Sequence, residues 1–242
     1  MNPTPVGLAV AAAVSVATAV LMWAMIRGLA DTPRPGWNRS RRVPTTWSLP
    51  VCVVLLAVPV FALLAFGFNP ARVPALLLVV FGVPAAVIDA RELRLPDTLT
   101  YGLTGTSTAA VGILAACGVP GHPVLAVLCG LAYPAVLLTI AILTPTGHPR
   151  RAEAGGVDAP SGTALGLGDI KLAIGLGIVL GWTSLPALTA AIAISAVTHL
   201  LWALGCAGAR RTGHPSGLSG TALGPWLMLG AVLAVYLAMP QR

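Results

Sequence analysis

The sequence predicts an all-α, polytopic integral membrane bundle of about eight transmembrane helices. Three observations predict it. Only 21 of 242 residues are formally charged, 14 Lys+Arg and seven Asp+Glu, which is 9% against 57% hydrophobic. Soluble domains run at about 25% charged. The mean hydropathy is +0.89. The apolar residues fall into runs near the roughly 20 residues that one bilayer crossing needs. A disordered chain, a nucleic-acid-binding domain and an ordinary soluble enzyme are excluded on these grounds.

The runs are expected at about 6–26, 49–67, 74–89, 99–117, 123–143, 170–182, 185–204 and 223–239. Backbone polar groups in lipid must be satisfied within the segment, so each run reads as a helix and not as an open strand. The first run has no basic residue before it and is followed by Arg27, so it reads as a retained span with its N-terminus outside, not as a cleaved signal. The run at 170–182 is short and rich in Gly, and is expected to be partly buried in protein. Two regions follow: two N-terminal helices with a basic loop (1–73), then a larger membrane domain (74–242).

Charge alternates between the loops. Arg27, Arg34, Arg39, Arg41, Arg42, Arg91, Arg94, Arg150, Arg151, Lys171, Arg210 and Arg211 fall on one side, Arg72 and Arg242 on the other. Twelve of 14 basic residues on one face is a positive-inside signal, so that face is expected to be cytoplasmic. The net charge of +7 therefore reports orientation in a lipid bilayer, and no nucleic-acid partner is expected. Trp23, Trp47 and Trp182 near span ends fit interfacial anchoring; Trp202 and Trp226 fit that or packing equally.

Cys52, Cys117, Cys129 and Cys206 form no CxxC pair, and the four His residues do not supply the missing spacing. No metal site is expected from them.

Five of the seven acids, Asp31, Glu92, Asp97, Glu153 and Asp158, lie in or at the ends of loops. Asp89 and Asp169 instead stand where apolar helices end or begin, both on the face expected to be cytoplasmic. An ionised carboxylate at such a position is expensive, which makes it a functional candidate. Two carboxylates brought together do not both ionise cheaply, so the pair shares a proton. One can then take a proton from water while the other gives one to a peptide carbonyl. Bland alternatives exist for each acid. Asp169 follows Gly166 and Gly168, so it could be a helix N-cap in a Gly-rich hinge. Asp97, after Pro96, could cap the helix that follows.

The run Gly166-Leu167-Gly168-Asp169-Ile170-Lys171-Leu172 resembles the GxGD motif of the prepilin peptidases, the type IV leader peptidase family of membrane aspartic peptidases. The stretch from Ile88 and Asp89 through Pro96, Asp97 and Thr100 is similar to that family's first aspartate motif. Leu223-Gly224-Pro225-Trp226 resembles its Phe-Gly-Pro segment, with Leu223 in place of Phe. The resemblance covers about residues 74–239.

It implies that Asp89 and Asp169 are the catalytic pair, with Gly166, Gly168, Lys171, Asp97, Gly224 and Pro225 as supporting motif positions. It implies a multi-pass protein of the bacterial plasma membrane that cuts basic leaders from prepilin-like substrates, including tight-adherence pilins or pseudopilins. The cut falls at the cytoplasmic face while the substrate's apolar helix stays in the bilayer. No cofactor or metal is implied. The chain looks like the compact members without an N-terminal cysteine-bearing domain, so the resemblance does not carry methyl transfer over to it. Lys171 could tune the aspartates or snorkel at the interface. Gly224 and Pro225 could do no more than shape a helix start.

Two other classes compete on sequence alone. A proton-coupled transporter could use Asp89 and Asp169 as a relay, though no internal repeat is found and both acids lie at one membrane edge. A structural subunit of a secretion or pilus system, or an inactive homologue, would not need the two aspartates.

Overall fold

The computed structural model describes residues 5–30, 60, 69–92, 95–143, 166–211 and 222–238. Among these, every regular element is a helix. Helix α1 is Pro5–Ala30. Helix α2 (residues 70–92) is built from four segments: a 3-10 turn Pro70–Arg72, an α segment Val73–Leu77, a π turn Leu78–Gly82 and an α segment Val83–Glu92. Then follow α3 (Asp97–Ala116), α4 (Pro123–Leu143), α5 (Leu167–Thr183), α6 (Leu185–Arg211) and α7 (Gly224–Ala238). Seven of the eight expected runs thus coincide with helices. The expected span at 49–67, Val60 apart, lies outside the described residues, as do residues 31–48 and 144–165 and the side chains of Arg91, Glu92 and Arg94.

Among the described residues, three helices are long and apolar enough to cross a membrane: Pro70–Ala90, Pro123–Leu143 and Leu185–Gly205. The apolar stretches Ala11–Ala24 and Gly224–Ala238 are shorter. Helix α3 carries many Thr and Ser, several of which bond back to their own helix, as Thr106 Oγ1 does to the Gly102 carbonyl at 2.6 Å.

Local sequence explains the helix ends. Asn69 starts α2, its side-chain oxygen accepting the Ala71 N–H at 2.9 Å with Pro70 in the first turn. Helix α3 stops at Gly118, which has φ +71. Val119 N–H reaches the Leu114 carbonyl and Gly118 N–H that of Ala115, the two bonds of a Schellman stop. The π turn of α2 lies just before Pro84, which has no N–H to offer Val80 and whose ring crowds that carbonyl in a regular helix. The wider turn relieves both.

Helix α5 is the centre of the bundle. Every residue from 172 to 182 except Ile174 is buried, which bears out the expectation that this short Gly-rich run lies inside protein. Its glycines allow this. A Cβ on Gly177 would strike the Cys129 carbonyl of α4, and one on Gly181 would lie 2.6 Å from the Leu125 oxygen. Small residues that let helix backbones touch are a membrane packing device. The core joins Leu172, Leu176, Val179 and Leu180 of α5 to Ile88 of α2, Leu99 and Leu103 of α3, Leu227 and Ala231 of α7, and Ala19 and Met22 of α1.

Trp182 is no interfacial anchor. It is buried, its indole N–H donates to the Ala71 carbonyl at 3.0 Å, and its ring fills the space that a side chain at Gly121 would need. Trp202 and Trp226 face each other, ring centroids 5.7 Å apart.

Candidate active site

Four helix ends meet at one end of the bundle: the C-terminal end of α2 and the N-terminal ends of α3, α5 and α7. Asp89 is on the last turns of α2 and only 6% exposed; Asp169 is in the first turn of α5 and 8% exposed. The two are close enough for the charge of Asp89 to act directly on Asp169. The fold thus brings two buried carboxylates, 80 positions apart in sequence, to one end of the bundle.

Each carboxylate is seated against glycine. Asp89 Oδ2 accepts the backbone N–H of Gly224, the first residue of α7, at 3.1 Å. A carboxylate at a helix N-terminus meets the favourable end of the helix dipole. A Cβ at Gly224 would sit 2.7 Å from the same oxygen. Asp169 Oδ2 lies against Gly166, where a Cβ would be 3.3 Å away. A Cβ at Gly168 would stand 2.9 Å from the Leu95 Cβ, on the turn between α2 and α3. Gly166, Gly168 and Gly224 are therefore places of close approach, and all three surround the aspartates.

The remaining oxygen, Asp169 Oδ1, is buried and has no hydrogen-bond partner among the described residues. Buried polar atoms are normally paired, and an orphan at a carboxylate pair is a place for a water or substrate atom.

Neither alternative cap forms. Gly166 is the N-cap of α5, without a side-chain bond, so Asp169 is not a cap; its own N–H donates to the Gly166 carbonyl at 3.1 Å. Pro96 is the N-cap of α3, which makes Asp97 the first helical residue. Its carboxylate is drawn sideways to Lys171, Nζ to Oδ1 2.7 Å. Lys171 Nζ also lies 5.2 Å from the centre of the Tyr101 ring. Pro225 falls in the first turn of α7, where its missing N–H is not needed. Among the described residues, no three His, Cys, Asp or Glu gather as metal ligands.

All the motif positions named from sequence lie at this one end. Two contacts were not foreseen: the Gly224 N–H on Asp89, and Leu95 against Gly168. The Gly-Pro pair before an apolar run signals a helix start but not what that start touches.

The pair can divide proton transfer between its two members, in a setting where both carboxylates are buried. Comparison with known proteins places these residues in a family context. The type IV leader peptidase family matches over residues 76–204, a stretch that includes Asp89, Asp97, Asp169 and Lys171 and ends before Gly224. The chain is 33% identical over 175 residues to a prepilin leader peptidase/N-methyltransferase of Pectobacterium carotovorum subsp. carotovorum, covering 66% of this chain and 50% of that protein. The chain thus spans about half the length of this curated relative. No solved structure matches it significantly. With more than half of its residues matched, the chain belongs to the type IV leader peptidase family.

Proposed function

We propose that the protein is a membrane aspartic endopeptidase that removes the basic leader from prepilin-like precursors at the cytoplasmic face of the bacterial plasma membrane. Asp89 and Asp169 are its catalytic pair. The observation that carries this is the presence of two buried carboxylates at one end of the bundle, one with an oxygen that has no partner among the described residues. With one proton between them, the ionised member takes a proton from water, and the water oxygen attacks the scissile carbonyl carbon. The protonated member gives its proton to the carbonyl oxygen. The tetrahedral diol then collapses: the C–N bond breaks, the leaving amine takes the proton that came from water, and one diol hydroxyl returns its proton to the other aspartate, which restores the pair. A substrate with a basic leader and an apolar stem would present its junction at this depth, with the stem in lipid.

The transporter alternative fits less well, because both acids sit at helix ends and not mid-span. Co-expression of a prepilin with wild type, Asp89→Asn or Asp169→Asn decides. Each substitution should abolish leader removal while the protein stays in the membrane. Full processing by either variant would overturn the assignment; solute-coupled proton uptake without cleavage would favour the transporter.

A further inference from the structure

We propose that the Lys171–Asp97 ion pair is a positioning strut. It ties the first turn of α5 to the first turn of α3 and so holds the Asp169 carboxylate in register with Asp89. This rests on the peptidase reading of the pair.

The first turn of α5 needs such a tether. It starts from Gly166 with no side-chain cap, and Leu167 points outward, 73% exposed. Its polar side-chain link to another helix, among the described residues, comes from Lys171. Lys171 stands two positions after Asp169, so its attachment fixes the turn that carries the acid. The receiving side is equally specific. Asp97 and Tyr101 are one turn apart on α3 and both engage the Lys171 ammonium, the carboxylate at 2.7 Å and the ring at 5.2 Å. Leu95, just before this turn, packs on Gly168, so the strut closes a contact already made by backbone and side chain.

A direct electrostatic role fits poorly. The Lys171 ammonium is turned to Asp97, 2.7 Å from its Oδ1, and is paired there. Nor is the pair a large source of global stability. Its side chains are 34% and 60% exposed, and exposed ion pairs contribute little. Its value is local, because a misplacement of about 1 Å at reacting groups can lower a rate about 100-fold.

The test is a double-mutant cycle on detergent-purified protein, with a prepilin that wild type cleaves. Lys171→Met and Asp97→Asn should each lower kcat about tenfold with KM, the thermal midpoint and both limbs of the pH profile little changed. Combined, they should do no more than either alone, since the second removes a strut already broken. Lys171→Arg, which can still reach Asp97, should restore most of the rate. Kinetics within about twofold of wild type for both single variants, or effects that multiply in the double, would overturn the strut. Asp89→Asn is assayed beside them: if it also cleaves normally, the peptidase assignment has failed and not the strut alone.

Discussion

The backbone N–H of Gly224 holds Asp89 Oδ2 at 3.1 Å across 135 residues of sequence. The first residue of α7 is therefore part of the setting of a carboxylate carried by α2. A side chain at this position has nowhere to go, since its Cβ would stand 2.7 Å from that oxygen and 3.3 Å from the carboxyl carbon.

Gly224→Ala should accordingly damage activity out of proportion to stability. Either the carboxylate turns away from Asp169 or α7 withdraws and takes its N–H with it. Leader removal should fall about 100-fold, as expected for a reacting group moved by about 1 Å. Quantifying processed and unprocessed prepilin alongside thermal unfolding in detergent checks this. A variant that cleaves normally would mean that Asp89 does not need its present seat.

The glycines of α5 make a graded prediction. Gly177 faces the Cys129 carbonyl and the Gly130 Cα, both backbone, whereas Gly175 faces the Leu103 side chain at 2.7 Å and Thr104 Oγ1 at 3.3 Å. Backbone yields less than a side chain that can change rotamer. Gly177→Ala should therefore destabilise by about 3 kcal/mol and Gly175→Ala by about 1 kcal/mol, the span usual for overpacked interiors. Thermal midpoints of the two purified variants give the order. Equal losses would mean that α4 and α5 separate as readily as one side chain repacks.

The fold was legible because lipid simplifies the problem: long apolar runs must be helices, and seven of them coincide with helices here. The candidate pair was legible because acids are scarce, so Asp89 and Asp169 stood out at helix ends. Their neighbours were harder to read. Local sequence offers Asp97 as a cap for α3, but a side chain 74 residues away engages it, and a local rule has no knowledge of Lys171. Trp182 was expected at the interface from its place at a run's end. Its burial comes from Val111 and Leu114 of α3 and Ala126 of α4, and its N–H partner is the Ala71 carbonyl of α2, none of which a window around residue 182 contains.

A pair that works with one proton between two acids is inactive when it holds two protons and when it holds none. The rate should therefore trace a bell against pH, with both limbs belonging to the pair and not to one residue. Cleavage of a prepilin by purified protein over a wide pH range checks it. A profile with one limb only would point to a single titrating acid and set Asp89 or Asp169 aside.

Trp182 offers the complementary case, a change in stability without a change in chemistry. It stands 13 residues beyond Asp169 on the same helix, about 20 Å at 1.5 Å per residue, so it lies at the other end of the bundle from the aspartates. There its Nε1–H satisfies the Ala71 carbonyl, and its own carbonyl accepts the His122 N–H at 3.2 Å. Trp182→Phe keeps most of the ring and removes one donor, leaving the Ala71 oxygen without it; the loss should be about 1–3 kcal/mol. Trp182→Ala also opens a cavity and should lose about 3–5 kcal/mol. Below its unfolding temperature, Trp182→Phe should cleave prepilin at the wild-type rate. A large fall in kcat for folded Trp182→Phe would show that the two ends of α5 are coupled, and that the carboxylate pair depends on more than the contacts at its own end.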